Sequence, residues 1–309
     1  MNPMLKVTGL TKSFSESVVV NDLSFTVNQG DVYGFLGQNG AGKSTTLRML
    51  LKLIKPSSGN IFFFGKPLTD AKNTMLKQTG AVIERPDMYK YLTAYDNLRI
   101  FACMSGIRPS RAVIMDQLQS AGLVDRWDSK VKTFSQGMKQ RLGIAIALIH
   151  QPALIILDEP INGLDPQGIA DMRNMILHLS KDLGRTVIVS SHLLSEIELI
   201  ANRMLIIHKG KKIAEGVVKE LLDPAKTIVQ IQTTNDIDSV LKLQGKSQTT
   251  LEQTPSGLKI SMNRDDIPQL INTMIGLDIS ILSIKPMHSL EDYFLSLTNQ
   301  QAHDVSPAN

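Results

Sequence analysis

The chain has 309 residues, of which 42% are hydrophobic and 20% are charged. This composition is ordinary for globular proteins and excludes an intrinsically disordered chain. The formal net charge is +4 and the basic residues are scattered, so the sequence shows no footprint of nucleic-acid binding. The single cysteine, Cys103, excludes an internal disulfide and favours a reducing compartment; its apolar neighbours predict a small core residue.

The sequence also argues against export and against membrane insertion of this chain. Its first residues carry neither a charged leader nor an apolar run of secretory length. The most apolar segment, residues 142–157, is interrupted by polar residues and is shorter than the roughly 20 residues that cross a bilayer. Any association with a membrane is therefore expected to come through a partner.

The first elements are predicted to be strands followed by a glycine-rich loop and a helix. Residues 5–10 and 18–27 are typical of antiparallel strands at a sheet edge. Residues 31–36 are predicted to form a strand that leads into a glycine-rich loop, and residues 43–53 then carry apolar side chains at helical spacing. The unit is therefore predicted to be strand, loop and helix.

The middle of the chain combines helical segments with two further buried strands. Residues 84–151 are mostly helical in pattern and predict an inserted helical subdomain. Residues 153–157 and 186–190 are apolar runs, separated by a helical pattern over residues 167–183. Fully apolar strands are typical of a parallel sheet that is covered on both faces, so the fold class is α/β.

The pattern changes after residue 222, where a small α+β domain is predicted over residues 223–299. Its expected order is strand, helix, two strands, helix and strand, which is similar to a ferredoxin-like unit. The predicted elements are 228–232, 237–243, 249–253, 258–262, 267–275 and 279–284. The polar residues 300–309 predict a flexible tail.

The glycine-rich loop fits the phosphate-loop pattern, in which two glycines flank four residues and Lys-Ser follows. Glycines allow successive backbone N–H groups to face one centre, and the following helix directs the positive end of its dipole there. We expect Lys43 to neutralise the β and γ phosphates of ATP and Ser44 to ligate Mg²⁺. The predicted nucleotide-binding residues of this loop are Gly37, Gln38, Asn39, Gly40, Ala41, Gly42, Lys43, Ser44 and Thr45.

A second part of the predicted site follows the buried strand at residues 154–157. This strand ends in paired carboxylates, Asp158 and Glu159. Asp158 is expected to hold Mg²⁺, directly or through water, and Glu159 to polarise the water that attacks the γ-phosphate. The structural alternative is that the two acids cap a helix, which a neighbouring phosphate loop makes less favourable.

Three further segments give the sequence its resemblance to the ABC ATPases. Residues 134–140 (Phe-Ser-Gln-Gly-Met-Lys-Gln) resemble the signature motif, 162–165 (Asn-Gly-Leu-Asp) the D-loop, and 190–192 (Ser-Ser-His) the switch-histidine motif. Their order along residues 5–220 is that of the family. The resemblance implies an ABC ATPase domain over residues 1–222, with antiparallel and helical subdomains around the nucleotide-binding core.

The resemblance also implies how the site is completed. Two such domains pack head to tail as an ATP sandwich, so Ser135 and the N–H of Gly137 would contact ATP held by the other subunit. His192 would help to fix the attacking water, and Asp165 would relay information across the interface. Phe14 lies where the family places an aromatic residue that stacks on adenine, although a structural core role remains the alternative.

One family position departs from the usual pattern and narrows the resemblance. Glu84 stands where most members have a glutamine that binds Mg²⁺ and senses the membrane partner; a carboxylate is still a suitable Mg²⁺ ligand. Together with the signature motif and residues 289–294 (Ser-Leu-Glu-Asp-Tyr-Phe), this departure resembles the bacitracin-export and lantibiotic-immunity group. That hexapeptide can equally be a capped amphipathic helix.

The implied function is an ATP-hydrolysing subunit that energises removal of a peptide antibiotic. The implied partners are separately encoded transmembrane permease subunits, which would hold the chain at the cytoplasmic face of a bacterial membrane, without direct contact between this chain and the transported substrate. Tyr89, Tyr91 and Tyr95, within residues 86–95, form the candidate docking surface. The alternatives are a soluble ABC ATPase acting on ribosomes or DNA and, less favoured, a kinase or GTPase.

Overall fold

The computed structural model describes residues 3–15, 17–68, 75–84, 87–221, 227–234, 251–254 and 257–287. The chain forms two compact units, Met1–Gly216 and Val217–Asn309, here called the first and second units. The sequence-based division, after residue 222, differs from this one by a short helix.

The first unit alternates strands and helices. Its strands are β1 (Pro3–Phe14), β2 (Ser17–Asn28), β3 (Val32–Leu36), β4 (Ser58–Phe63), β5 (Lys66–Pro67), β6 (Thr79–Val82), β7 (Leu154–Asp158), β8 (Thr186–Ser191), β9 (Arg203–His208) and β10 (Lys211–Val217). Its helices are α1 (Lys43–Leu50), α2 (Ala94–Met104), α3 (Arg111–Ser120), α4 (Gln136–Leu148), α5 (Pro166–Lys181) and α6 (Leu194–Glu198).

The early strands form an antiparallel sheet in the order β2-β1-β4-β5. In the β1–β2 and β1–β4 pairs, Val7 lies opposite Phe25 and Ile61. All three side chains are buried in one core cluster with residues of α1 and of the other sheet of this unit. The antiparallel arrangement predicted for the first strands is confirmed.

The second sheet has the order β10-β9-β3-β8-β7-β6, and β3, β6, β7, β8 and β9 pair in parallel. All residues of β3, β7 and β8 are buried, as their largely apolar sequences predict. Because parallel strands end at the same edge, the residues that follow β3, β7 and β8 come together there. The predicted parallel sheet is confirmed.

Three helices with side-chain N-caps build the helical subdomain. The hydroxyls of Thr93, Ser110 and Ser135 accept hydrogen bonds from backbone N–H groups in the first turns of α2, α3 and α4. The helices enclose a core cluster of their own, which includes Leu98, Ile114, Leu118 and Leu142. The prediction that Cys103 belongs to a core was wrong, because it lies on the exposed face of α2.

The second unit contains the helices α7 (Val218–Leu221) and α8 (Ile267–Gly276) and the strands β11 (Thr227–Thr233), β12 (Leu251–Thr254), β13 (Gly257–Met262) and β14 (Ile281–Met287). The four strands are antiparallel in the order β12-β13-β11-β14, and residues of β11, β13 and β14 share a core with α8. The predicted helix 237–243, the hexapeptide 289–294 and the tail 300–309 lie outside the described residues. The ferredoxin-like assignment therefore stays a prediction.

Candidate active site

The loop between β3 and α1 requires glycine at two points because of close backbone contacts. A Cβ atom on Gly37 would lie 2.6 Å from the carbonyl oxygen of Ile207, and one on Gly42 would lie 2.8 Å from that of Val19. Gly42 also has a φ of 102°, which L-residues rarely adopt. Helix α1 starts immediately afterwards, so its first N–H groups are available to an anion.

Lys43 is fixed at the centre of this loop. Its side chain is only 5% exposed, and its Nζ atom donates hydrogen bonds to the carbonyl oxygens of Gly37 (2.7 Å) and Gln38 (3.3 Å). The same atom lies 3.2 Å from Glu159 Oε1. The loop lysine and the acid after β7 therefore already form an ion pair across the site.

Asp158 is held by a serine that the sequence analysis had given no separate role. Parallel pairing places Ser190 of β8 opposite Asp158 of β7. The Ser190 hydroxyl donates a 2.5 Å hydrogen bond to Asp158 Oδ1 and accepts one of 3.0 Å from the backbone N–H of Glu159. Both residues are buried, so this bond orients the carboxylate.

Glu159 lies between a lysine and a histidine. Its Oε2 atom lies 2.8 Å from His192 Nδ1, while Oε1 faces Lys43. Its φ of 51° is in the left-handed region, so the chain turns sharply as it leaves β7. The structure thus brings together Lys43, Asp158, Glu159 and His192, which the sequence analysis had assigned to one reaction.

Of these residues, Asp158 and Glu159 border a cavity of about 440 Å³. The residues that line it are Ser44, Glu84, Gln136, Gln140, Asp158, Glu159, Asn162 and Gly163. The three predicted Mg²⁺ ligands, Ser44, Glu84 and Asp158, all belong to this lining, and hydroxyl and carboxylate oxygens are the donors that Mg²⁺ prefers. The residues present therefore fit a bound Mg²⁺. The lining also includes the buried Gln140, for which the sequence had predicted no separate role.

Ser135 of the signature segment and Asp165 of the D-loop segment lie at helix starts and are exposed. Ser135 is exposed and caps α4 through a 3.2 Å hydrogen bond from the N–H of Met138. Asp165 is exposed and caps α5 through a 3.1 Å bond from the N–H of Gly168. Gly137 lies in the first turn of α4. The neighbouring Gln136 reaches the cavity, whereas Ser135, Gly137 and Asp165 do not line it.

Phe14 is the last residue of β1 and is 45% exposed. Lys12 Nζ lies 4.7 Å from the centre of its ring. An exposed ring face is compatible with stacking on a base, and this degree of exposure disfavours the alternative core role.

The predicted docking tyrosines do not share one environment. Tyr91 and Tyr89 are 77% and 51% exposed. Tyr95 instead packs against the core of the helical subdomain, with its ring 6.1 Å from that of Trp127. Tyr95 lies in the first turn of α2, and Leu98 of the same helix belongs to that core.

The chain is similar to known proteins over nearly its whole length. The sequence profile of the ABC transporter family matches residues 20–162. The bacitracin transport ATP-binding protein BcrA of Bacillus licheniformis is 40% identical over 96% of this chain and 98% of its own. An ABC transporter ATP-binding protein of Bacillus subtilis, YhcH, is 39% identical over the full length of both. The lantibiotic transport ATP-binding protein SrtF of Streptococcus pyogenes is 43% identical over 69% of this chain and 90% of its own.

Solved structures give the same result for the fold. The chain superimposes with a TM-score of 0.65 on cbiO1 of Clostridium perfringens, part of an ABC transporter complex, at 28% identity over 72% of this chain and 91% of that one. It matches the ATP-binding cassette MJ1267 in its ADP conformation with the same score, at 26% identity over 72% and 96%. The alternative of a soluble ABC ATPase on ribosomes or DNA is not favoured by these relatives. The chain belongs to the family of ATP-binding subunits of ABC transporters.

Proposed function

We propose that this chain hydrolyses ATP to ADP and phosphate and thereby energises the removal of a peptide antibiotic, such as bacitracin or a lantibiotic, through separate membrane subunits. The observation that carries the catalytic part is the contact of Glu159 with both Lys43 and His192 at the end of the phosphate-loop sheet. The names of the similar proteins BcrA and SrtF support the class of substrate.

The mechanism follows from the charges of these residues. The phosphates of ATP would enter the loop at Lys43 and compete with Glu159 for its ammonium group. Glu159 is then free to accept a proton from water, while His192 holds its other oxygen and fixes its direction. Mg²⁺, held by Ser44, Asp158 and Glu84, would neutralise phosphate charge.

A second copy of the chain would complete the site. Ser135 and Gly137 lie at the exposed start of α4, where backbone N–H groups can bind phosphate oxygens. In a head-to-tail homodimer they would meet the nucleotide on the partner, with Asp165 at the interface. This arrangement makes ATP part of the contact between the subunits.

Membrane partners would supply the transport pathway. None of the helices in the described part of the chain combines the length and the apolar composition that a membrane crossing requires. The exposed Tyr89 and Tyr91 offer aromatic surface for docking beside the helical subdomain. We place the chain at the cytoplasmic face of the membrane, held there by permease subunits and without contact to the transported molecule.

Antibiotic susceptibility tests the proposed substrate. The chain is expressed with its membrane partners in a sensitive bacterium, and growth is measured in bacitracin, a lantibiotic and an unrelated antibiotic. The expected result is a several-fold higher inhibitory concentration for one peptide antibiotic, lost with Glu159→Gln and kept with the exposed control Glu220→Gln. Equal protection by Glu159→Gln would contradict coupling to hydrolysis, and no protection by the wild type would contradict the substrate class.

A further inference from the structure

Three carboxylates, those of Glu84, Asp158 and Glu159, line the cavity beside the phosphate loop. ATP brings several more negative charges, so each carboxylate opposes nucleotide binding unless another group offsets it. Lys43 forms an ion pair with Glu159, and Ser190 donates a hydrogen bond to Asp158. The remaining carboxylate, Glu84, has a partner of its own.

That partner is Arg48. It lies in the last turn of α1, the helix that starts at the phosphate loop. Its Nη2 atom donates a hydrogen bond to Glu84 Oε1 and forms an ion pair with it. Glu84 has a φ of 59°, a conformation that costs energy in a residue other than glycine, so contacts with its surroundings must favour this turn.

The plain alternative is an ordinary surface ion pair. The Glu84 side chain is 61% exposed, and exposed pairs stabilise folded proteins little. The location of the pair argues for more than that. Glu84 shares the cavity with Ser44 and Asp158, and Arg48 belongs to the same short helix as Ser44. The guanidinium group therefore adds positive charge where nucleotide phosphates would arrive.

We propose that Arg48 is a positioning residue that offsets the charge of Glu84 and holds this carboxylate on the α1 side of the cavity. The inference rests on the proposed ATP site. It implies that Arg48 and Glu84 work as a pair, because the arginine is needed only while residue 84 carries a negative charge. A neutral residue at position 84 makes Arg48 dispensable.

A double-mutant cycle in the full-length chain tests this pairing. The variants are Arg48→Met, Glu84→Gln, their combination, and Arg48→Lys. The dissociation constant of a fluorescent ATP analogue is measured in EDTA, so that Mg²⁺ does not contribute, and thermal melting confirms folding. Arg173→Met is the matched control, since Arg173 forms a partly exposed ion pair with Glu196 on α6.

The expected result is a roughly fivefold weaker binding for Arg48→Met, since contacting charges couple by about that much. The combined variant should bind as Glu84→Gln does, Arg48→Lys should recover most of the loss, and Arg173→Met should bind as the wild type. Added salt should shrink the penalty, because screening weakens exposed charges.

Two results would overturn the role of Arg48. One is the same loss of affinity from Arg48→Met in both backgrounds, and the other is a wild-type affinity in Arg48→Met itself. If Arg48→Met does not fold, Arg48→Lys is compared in the two backgrounds, and an equal loss in both counts against the pairing. A wild-type chain that binds no ATP would instead contradict the proposed function.

Discussion

The carboxyl edge of the parallel sheet and the start of helix α4 both carry residues assigned to ATP, but the chain treats them differently. At the sheet edge, Lys43 and Asp158 are buried and are held by contacts with Glu159 and Ser190. At the start of α4, Ser135 is exposed and caps its own helix. Under the proposed function, one chain would therefore supply a preformed phosphate-binding half of a site and leave the other half open to solvent. We therefore expect the exposed motif residues, rather than the buried ones, to contact a second copy.

The largest expected effect comes from the sheet edge. Glu159→Gln keeps the size of the side chain but removes the proton acceptor, so ATP hydrolysis should fall by about 10² to 10⁴-fold. Nucleotide should still bind, because Lys43 loses a competing charge. A phosphate-release assay and a binding titration on the same preparation measure both. Glu220→Gln, at an exposed position of α7, is the control. Hydrolysis by Glu159→Gln above a tenth of the wild-type rate would show that Glu159 is not the proton acceptor.

Ser190→Ala tests whether the buried contacts at this edge hold it together. The change leaves Asp158 Oδ1 and the N–H of Glu159 without their hydroxyl partner, so the free energy of unfolding should fall by about 1–3 kcal/mol. Urea denaturation measures this loss. Ser120→Ala, on the exposed face of α3, should cost far less, and an equal cost at both positions would break the contrast between the edge and the surface.

How much of this edge the sequence could predict depends on the distance between partners along the chain. The glycine-rich loop and the acids at the end of β7 were predictable because each is a local pattern next to an apolar strand. The bond between Ser190 and Asp158 was not, since it depends on which strands are neighbours, and that is a property of the whole sheet. The one sequence signal for this hydrogen bond was the position of Ser190 at the end of a predicted strand. The contact between Arg48 and Glu84 likewise depends on tertiary structure.

The helical subdomain shows the same limit. Its helices were predictable from periodicity, and their Ser and Thr caps are local. The separation of Tyr95 from Tyr89 and Tyr91 was not, because an aromatic residue next to a helix start can face either the core or solvent. Only the packing of Tyr95 against Trp127 decides it.

Ser135→Ala separates the capping role of this serine from its proposed role towards a second subunit. Loss of the cap should cost about 0.5–2 kcal/mol of stability. Ser110→Ala removes a similar cap from α3 and should cost a similar amount. Only Ser135→Ala should lower ATP hydrolysis as well, measured at a protein concentration that allows dimers. A parallel loss of activity in both variants would show that Ser135 acts on stability alone.

The smallest expected effect is at Phe14, whose ring is partly exposed. Phe14→Ala should weaken ATP binding by about 0.5–1.5 kcal/mol if the ring stacks on adenine. Phe14→Tyr should bind as the wild type does, because tyrosine stacks in the same way. The affinity for ATP relative to GTP is measured in a competition assay. An unchanged ATP affinity in Phe14→Ala would show that Phe14 has a purely structural role.

In the proposed dimer, ATP joins the sheet edge of one chain to the exposed start of α4 in another. ATP-dependent dimerisation of Glu159→Gln is the decisive experiment for this arrangement. Size-exclusion chromatography with light scattering is run with and without ATP, on the chain alone and on its complex with membrane partners. We expect a shift to dimer with ATP that Lys43→Ala and Ser135→Ala reduce and Ser110→Ala does not. A chain that stays monomeric in both settings with ATP demonstrably bound would rule out a dimer joined by ATP.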